Sequence, residues 1–246
     1  MKKIIVADNS KTFLMYIGLL LRRLEFNVIT VQNGLEVLKL LKFSKADMAI
    51  LDVNMNTMDG ISTLRHIRED KQIPQIPVIM ISFESSAETV EICRRLGCFD
   101  YLTKPLKVDK LHEVLQKCFF SQQGTNRRHI RIHCIRKALI SYNGIEERLY
   151  TETLSVGGLY VRRQEPFPVG ADVAVTLPLS DQKTLQVRGN VIYTKSLYGD
   201  FMTLPPGMAI AFKGLLEEQY QELKDYIEKM IVGDILEEQG EQFIMQ

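Results

Sequence analysis

The sequence predicts a five-stranded parallel α/β sheet followed by a small antiparallel β-barrel with a C-terminal helix. Three observations predict it. In the first half, short apolar runs alternate with amphipathic helical stretches, five times over. A polar, glycine-bearing stretch then interrupts the pattern, SQQGTN at 121–126. Beyond it the helical period gives way to short alternating runs broken by turn signals. The expected organisation is therefore a domain over 1–120, a linker over 121–126, a barrel domain over 127–232 and an acidic tail over 233–246.

The elements follow in order. KIIVA (3–7) reads as a buried strand ending at Asp8, and residues 10–24 place Phe13, Leu14, Ile17, Leu21 and Leu24 at helical spacing. VITV (28–31) precedes a helix carrying Leu35, Leu38 and Leu41; MAIL (48–51) precedes one carrying Ile61, Leu64 and Ile67. PVIMI (77–81) leads into a helix near 86–96, and YLT (101–103) into one near 108–119. Buried strands separated by amphipathic helices imply a parallel sheet covered on both faces. In the second half, DVAVTL (172–177), parts of TLQVRGNVIY (184–193) and GMAIAF (207–212) alternate, separated by PFPVG, LSDQ and LPPG. Short strands with frequent turns suit a compact barrel or sandwich. A last helix near 215–231 carries Leu216, Tyr220, Leu223, Ile227 and Met230 as an apolar stripe.

The bulk properties narrow the function classes. A net charge of +1 over 246 residues and a pI near 7.6 argue against a general nucleic-acid binder. Apolar residues make up 46%, enough for packed cores. The four cysteines form no CxxC pair and read as reduced core residues. Neither a signal-peptide pattern nor a membrane-length apolar run is present, so a cytoplasmic protein without membrane insertion is expected. His129 and His133 lie on an extended stretch rather than a helix and do not suit a metal pair; His66 and His112 are expected at helix surfaces.

In open α/β sheets the ligand site lies beyond the carboxyl ends of the strands. Asp8 and Asn9 follow the first strand, Asp52 the third, Ser82 the fourth, and Lys104–Pro105 the fifth. Strand-end polar residues ordinarily cap helices, but here two carboxylates, a hydroxyl and an ammonium converge on one edge. Adjacent carboxylates disfavour each other's ionisation, and a hard divalent cation relieves this. An Asp in such a place can attack a phosphoryl group and form an acyl phosphate, whose oxygens Ser82 and Lys104 can hold.

The pieces VADNS, LDVNMNTMDG, PVIMIS and YLTKPL resemble the receiver domain of two-component response regulators, over roughly residues 1–120. That resemblance implies a flavodoxin-like fold and phosphorylation of Asp52 by a sensor histidine kinase. It implies contact of Lys104 and Ser82 with the phosphate, and a switch through Ser82 and Tyr101. It also implies a cis bond before Pro105 and Mg²⁺ held by Asp8, Asp52 and the carbonyl of Asn54. The family usually has two acids after the first strand. Here the second is Asn9, which removes one negative charge and should weaken Mg²⁺ binding.

Between Glu113 and Glu146 there is no acidic residue, while Lys117, Arg127, Arg128, Arg131, Arg136 and Lys137 fall there. A charge run is usually a solvated face. The TLSVGGL turn at 153–159 adds hydroxyls and close backbone approach. Forked guanidinium groups read guanine edges and phosphates, so the pair suits a compact, anionic, purine-bearing ligand. The RxxxR at Arg127 and Arg131 with SxxG at Ser155 and Gly158 resembles the PilZ domain, over roughly 125–232. That family binds cyclic di-GMP, which implies a site of Arg127, Arg128, Arg131, Ser155 and Gly158. Thr153 stands where the family has Asp or Asn, at a cost of about one hydrogen bond. Together the resemblances imply a response regulator without catalytic residues, not an enzyme. It would signal through an unidentified downstream protein and without DNA; a homodimer is compatible with them. The alternative is a ligand-free adaptor in which both sites are degenerate.

Overall fold

The computed structural model describes residues 2–120, 129–180, 183–196 and 205–233. The described residues fall into two compact units, one of residues 2–120 with 232–233 and one of residues 129–231.

In the first unit, β1 (Lys3–Ala7), β2 (Asn27–Val31), β3 (Met48–Asp52), β4 (Val78–Ser82) and β5 (Asp100–Thr103) pair in parallel in the order β2-β1-β3-β4-β5. α1 (Lys11–Arg23), α2 (Gly34–Phe43), α3 (Gly60–Glu69), α4 (Ala87–Arg95) and α5 (Val108–Phe120) alternate with them. This is the predicted five-stranded parallel fold. β3 and β4 are buried along their whole lengths, as strands covered on both faces must be. The helix starts are set by capping. Ser10, Asn33, Asp59 and Ser86 each accept a backbone N–H three residues on. Gly60 permits the close approach of α3 to β3, since a Cβ there would lie 2.2 Å from the Asp52 carbonyl oxygen. Lys104–Pro105 is cis.

Two expectations on the helix faces are corrected. His112 is buried at 8% exposure, because α5 turns Leu111, His112, Val114 and Leu115 inward together. Leu35 is half exposed, since α2 buries Val37 and Leu41 instead.

The second unit contains β6 (Ile132–His133), β7 (Lys137–Tyr142), β8 (Ile145–Ser155), β9 (Gly158–Arg162), β10 (Asp172–Pro178), β11 (Thr184–Lys195), β12 (Gly207–Lys213) and α6 (Glu217–Val232). Antiparallel pairing runs β8-β7-β10-β11-β12-β9 and returns from β9 to β8, closing a six-stranded barrel, with β6 added along β8. β7 and β8 form a hairpin through Asn143 and Gly144, whose φ values of 49° and 80° suit a two-residue turn. The segment 132–142 follows β8 throughout but kinks between β6 and β7. The Thr151 hydroxyl fills that kink: it accepts from Arg136 N–H at 2.9 Å and donates to the Cys134 carbonyl. α6 buries Leu223, Ile227 and Ile231, whereas Leu216, at 67% exposure, precedes it. The predicted tail, apart from its first residue, lies outside the described residues.

Candidate functional site

The first candidate site forms at the carboxyl ends of β1, β3, β4 and β5. Lys104 Nζ lies 2.6 Å from Asp8 Oδ2 and 3.0 Å from Asp52 Oδ1. Asp8 is fully buried and Asp52 is 6% exposed. The other oxygen of Asp8 accepts the Ser10 N–H at 2.8 Å. One ammonium therefore faces two buried carboxylates. Burial pushes the Asp52 carboxyl up from its ordinary range, and the neighbouring Asp8 charge adds to this. Lys104 and the Asn54 N–H offset part of the rise.

Ser82 is fully buried, its hydroxyl accepting the Glu84 N–H at 3.0 Å. Tyr101 donates its hydroxyl to the Glu84 carbonyl at 2.6 Å. The predicted residues thus occupy one strand-end cluster, with Asn54 and Asn9 exposed at its rim. Sequence reasoning missed two members, Phe13 and Phe83, whose ring centroids lie 4.4 and 5.1 Å from Lys104 Nζ. Phe13 stands in the sequence as part of the apolar spacing of α1 and Phe83 follows Ser82, but only distances identify them as neighbours of the lysine.

The donor set suits Mg²⁺, being carboxylate and carbonyl oxygen with residual negative charge. Among the described residues no group of three or more His, Cys, Asp or Glu side chains converges. Asp8 and Asp52 would therefore need the Asn54 carbonyl and water to complete the coordination. When bound, the ion would neutralise charge on transferring phosphoryl oxygens.

The second candidate site lies along β8. Arg127 and Arg128 fall outside the described residues. Arg131 is half-buried and precedes β6, where Ile132 pairs with Leu154 and His133 with Thr153. Continued one step, that register sets Arg131 opposite Ser155. It agrees with His129, which lies over Gly157: a Cβ on Gly157 would sit 2.3 Å from His129 Cδ2. Ser155 is 4% exposed and donates to the Gly158 carbonyl at 3.2 Å. Gly158 abuts β12, where a Cβ would meet the Ile210 carbonyl oxygen at 2.2 Å. Thr151, Thr153 and Ser155 of β8 are all buried, with a bulge against β9 between the first two. The outer two have partners, but Thr153 Oγ1 has none among the described residues. Beside them Glu152 pairs with Arg162 and lies 3.8 Å from His133 Nδ1.

The comparisons with known proteins fit both halves. A model of the response regulator receiver domain matches residues 4–116, and one of the PilZ domain matches 125–229. Chemotaxis protein CheY-3 of Vibrio cholerae is 35% identical over 118 residues, 48% of this chain and 91% of that protein. The chain belongs to the response regulator receiver family. Its second half is a PilZ domain. Transcriptional regulatory protein ZraR of Salmonella typhimurium is also 35% identical, over 122 residues, half of this chain. The match spans only 27% of that regulator's length. Among solved structures, chemotaxis protein CheY4 of Vibrio cholerae is 27% identical with a TM-score of 0.46, covering 48% of this chain and 99% of that one. Among the described residues no helix is long and apolar enough to cross a membrane.

Proposed function

We propose that this response regulator accepts a phosphoryl group on Asp52 from a sensor histidine kinase and binds cyclic di-GMP in its PilZ half. The observation that carries the first part is the ammonium of Lys104 set between two buried carboxylates. Asp52 Oδ forms the bond to phosphorus as the donor's P–N bond breaks. Lys104 then serves the phosphoryl oxygens in place of the carboxylates it now bridges, and Ser82 closes on them. Asp8, Asp52 and the Asn54 carbonyl would hold Mg²⁺, more weakly for want of an acid at Asn9. In the barrel, Arg127, Arg128 and Arg131 serve the phosphates and guanine edges, with Ser155 and Gly158 shaping the turn. The output is contact with another protein in the cytoplasm rather than catalysis.

The orphaned Thr153 hydroxyl favours a second reading for the PilZ half, that of a ligand-free adaptor. A titration of the full chain with cyclic di-GMP, GTP and duplex DNA separates the readings. Heat with cyclic di-GMP alone supports the proposal. No heat with any of the three supports the adaptor, and binding to duplex DNA would displace both.

A further inference from the structure

The surroundings of Lys104 extend beyond its two carboxylates. Its side chain is 5% exposed, yet Phe83, one of the groups enclosing it, is 67% exposed. A ring that open to water is not held by a core. Its face is directed at a desolvated ammonium, and that attraction is a sufficient reason for its position. Both rings are also fixed by backbone. Phe83 follows Ser82, where the hydroxyl ties down the Glu84 N–H. Phe13 sits in the first turn of α1, its N–H capped by Ser10 at 3.3 Å.

We propose that Phe13 and Phe83 form an aromatic collar around the Lys104 ammonium that selects phosphoryl donors by bulk and shields phosphorylated Asp52 from water. This rests on the reading that Asp52 is the acceptor. In transfer, the donor's P–N or P–O bond breaks as the Asp52 Oδ–P bond forms. The leaving group departs with the electron pair and takes a proton from solvent. In hydrolysis, water adds to phosphorus and the Asp52 Oδ–P bond breaks, its electron pair returning to the carboxylate. Inorganic phosphate leaves, and the surplus proton passes to solvent. Attacking and leaving groups lie roughly in line, so the donor's leaving group and the hydrolytic water use the same side of phosphorus. A collar bordering that side hinders a flat, bulky leaving group more than a small one, and slows water as well.

The test compares the full chain with Phe83→Ala, Phe83→Leu, Phe83→Tyr and Phe13→Ala, reading phosphate on Asp52 by intact mass and peptide mapping. Phosphoramidate supplies a small leaving group and phosphoimidazole a flat one; decay is followed after the donor is removed. Phe83→Ala should raise uptake from phosphoimidazole about fivefold more than uptake from phosphoramidate, and shorten the phosphorylated lifetime by about the same factor. Phe13→Ala should act in the same direction. Phe83→Tyr, which keeps the ring, should match the parent, while Phe83→Leu, which keeps bulk without a ring face, should fall between. Phosphorylated Asp52 with an unchanged donor ratio and lifetime in Phe83→Ala overturns the collar alone. No phosphate on any form from either donor overturns the acceptor assignment and the collar with it.

Discussion

At the end of the parallel sheet, polar side chains from four separate strand ends meet. In the barrel, the described candidate groups come from β8, the turn after it and the chain laid along it. Lys104 and Asp8 are 96 positions apart and in contact, whereas Ser155 and Gly158 belong to one turn. The first site is a product of topology and the second of local register. The first also gathers buried charge around one shared cation, so each member depends on the others. The second is built of neutral hydroxyls and glycines, with Arg131 at its edge, and its members can be removed more independently.

The most severe test of that contrast is Asp52→Asn. Phosphoryl uptake, read by intact mass after incubation with a small donor, should vanish, while cyclic di-GMP binding by calorimetry should persist. Arg131→Ala should do the reverse. It should weaken cyclic di-GMP binding by more than about 1.5 kcal/mol, roughly tenfold, since a charge-assisted hydrogen bond is lost, and leave phosphoryl uptake intact. If both properties fall in either variant, the two sites are not independent.

Stability sharpens the comparison further. The Asp52 carboxyl is raised in the folded chain. Its contribution is therefore fully present below the ordinary carboxylate range and is lost as pH rises through the folded value. Asp52→Asn should melt higher than the parent at neutral pH, and the gap should close as the solution is acidified. Thr153→Val removes the orphaned hydroxyl at nearly constant shape. It should raise stability by about 1 kcal/mol in denaturant titrations, because a buried group without a partner costs that much. Thr153→Asn should instead tighten cyclic di-GMP binding. The smallest effect concerns thiols. Burial pushes Cys93 and Cys118 up to about 11, so neither should alkylate appreciably at neutral pH until the chain is unfolded.

The contrast also governs what was readable in the sequence. The strand–helix repeats announce themselves most clearly at β1, β3 and β4, where each buried strand is a nearly unbroken apolar run, as in MAIL and VIMI. The strand-end rule then finds Asp8, Asp52, Ser82 and Lys104 without any distance. β7 and the first part of β8 do not stand out as strands, because β8 carries Glu146, Glu147, Arg148 and Glu152 on exposed or half-buried positions that blur its alternation. The Asn143–Gly144 pair is the local hairpin signal in that stretch. The inward turn of His112 was illegible, since an imidazole tolerates either side of a helix. So was the placing of Phe13 and Phe83, which depends on where a lysine from another strand ends. The burial of Thr153 was hidden for a similar reason: the sequence does not show that β6 lies along β8.

The kinked join between β6 and β7 has a consequence for how the barrel opens. The six strands of the barrel close on one another, whereas β6 is a two-residue strand that, among the described residues, pairs with β8 at Ile132–Leu154 and His133–Thr153, with the Cys134 N–H to Glu152 carbonyl bond beyond them. A strap that short can peel away without unzipping the ring. Amides of residues 132–134 should then exchange with deuterium well before those of β10 and β11, by a local opening rather than by global unfolding. The segment that carries Arg131 would be hinged at the Thr151 plug.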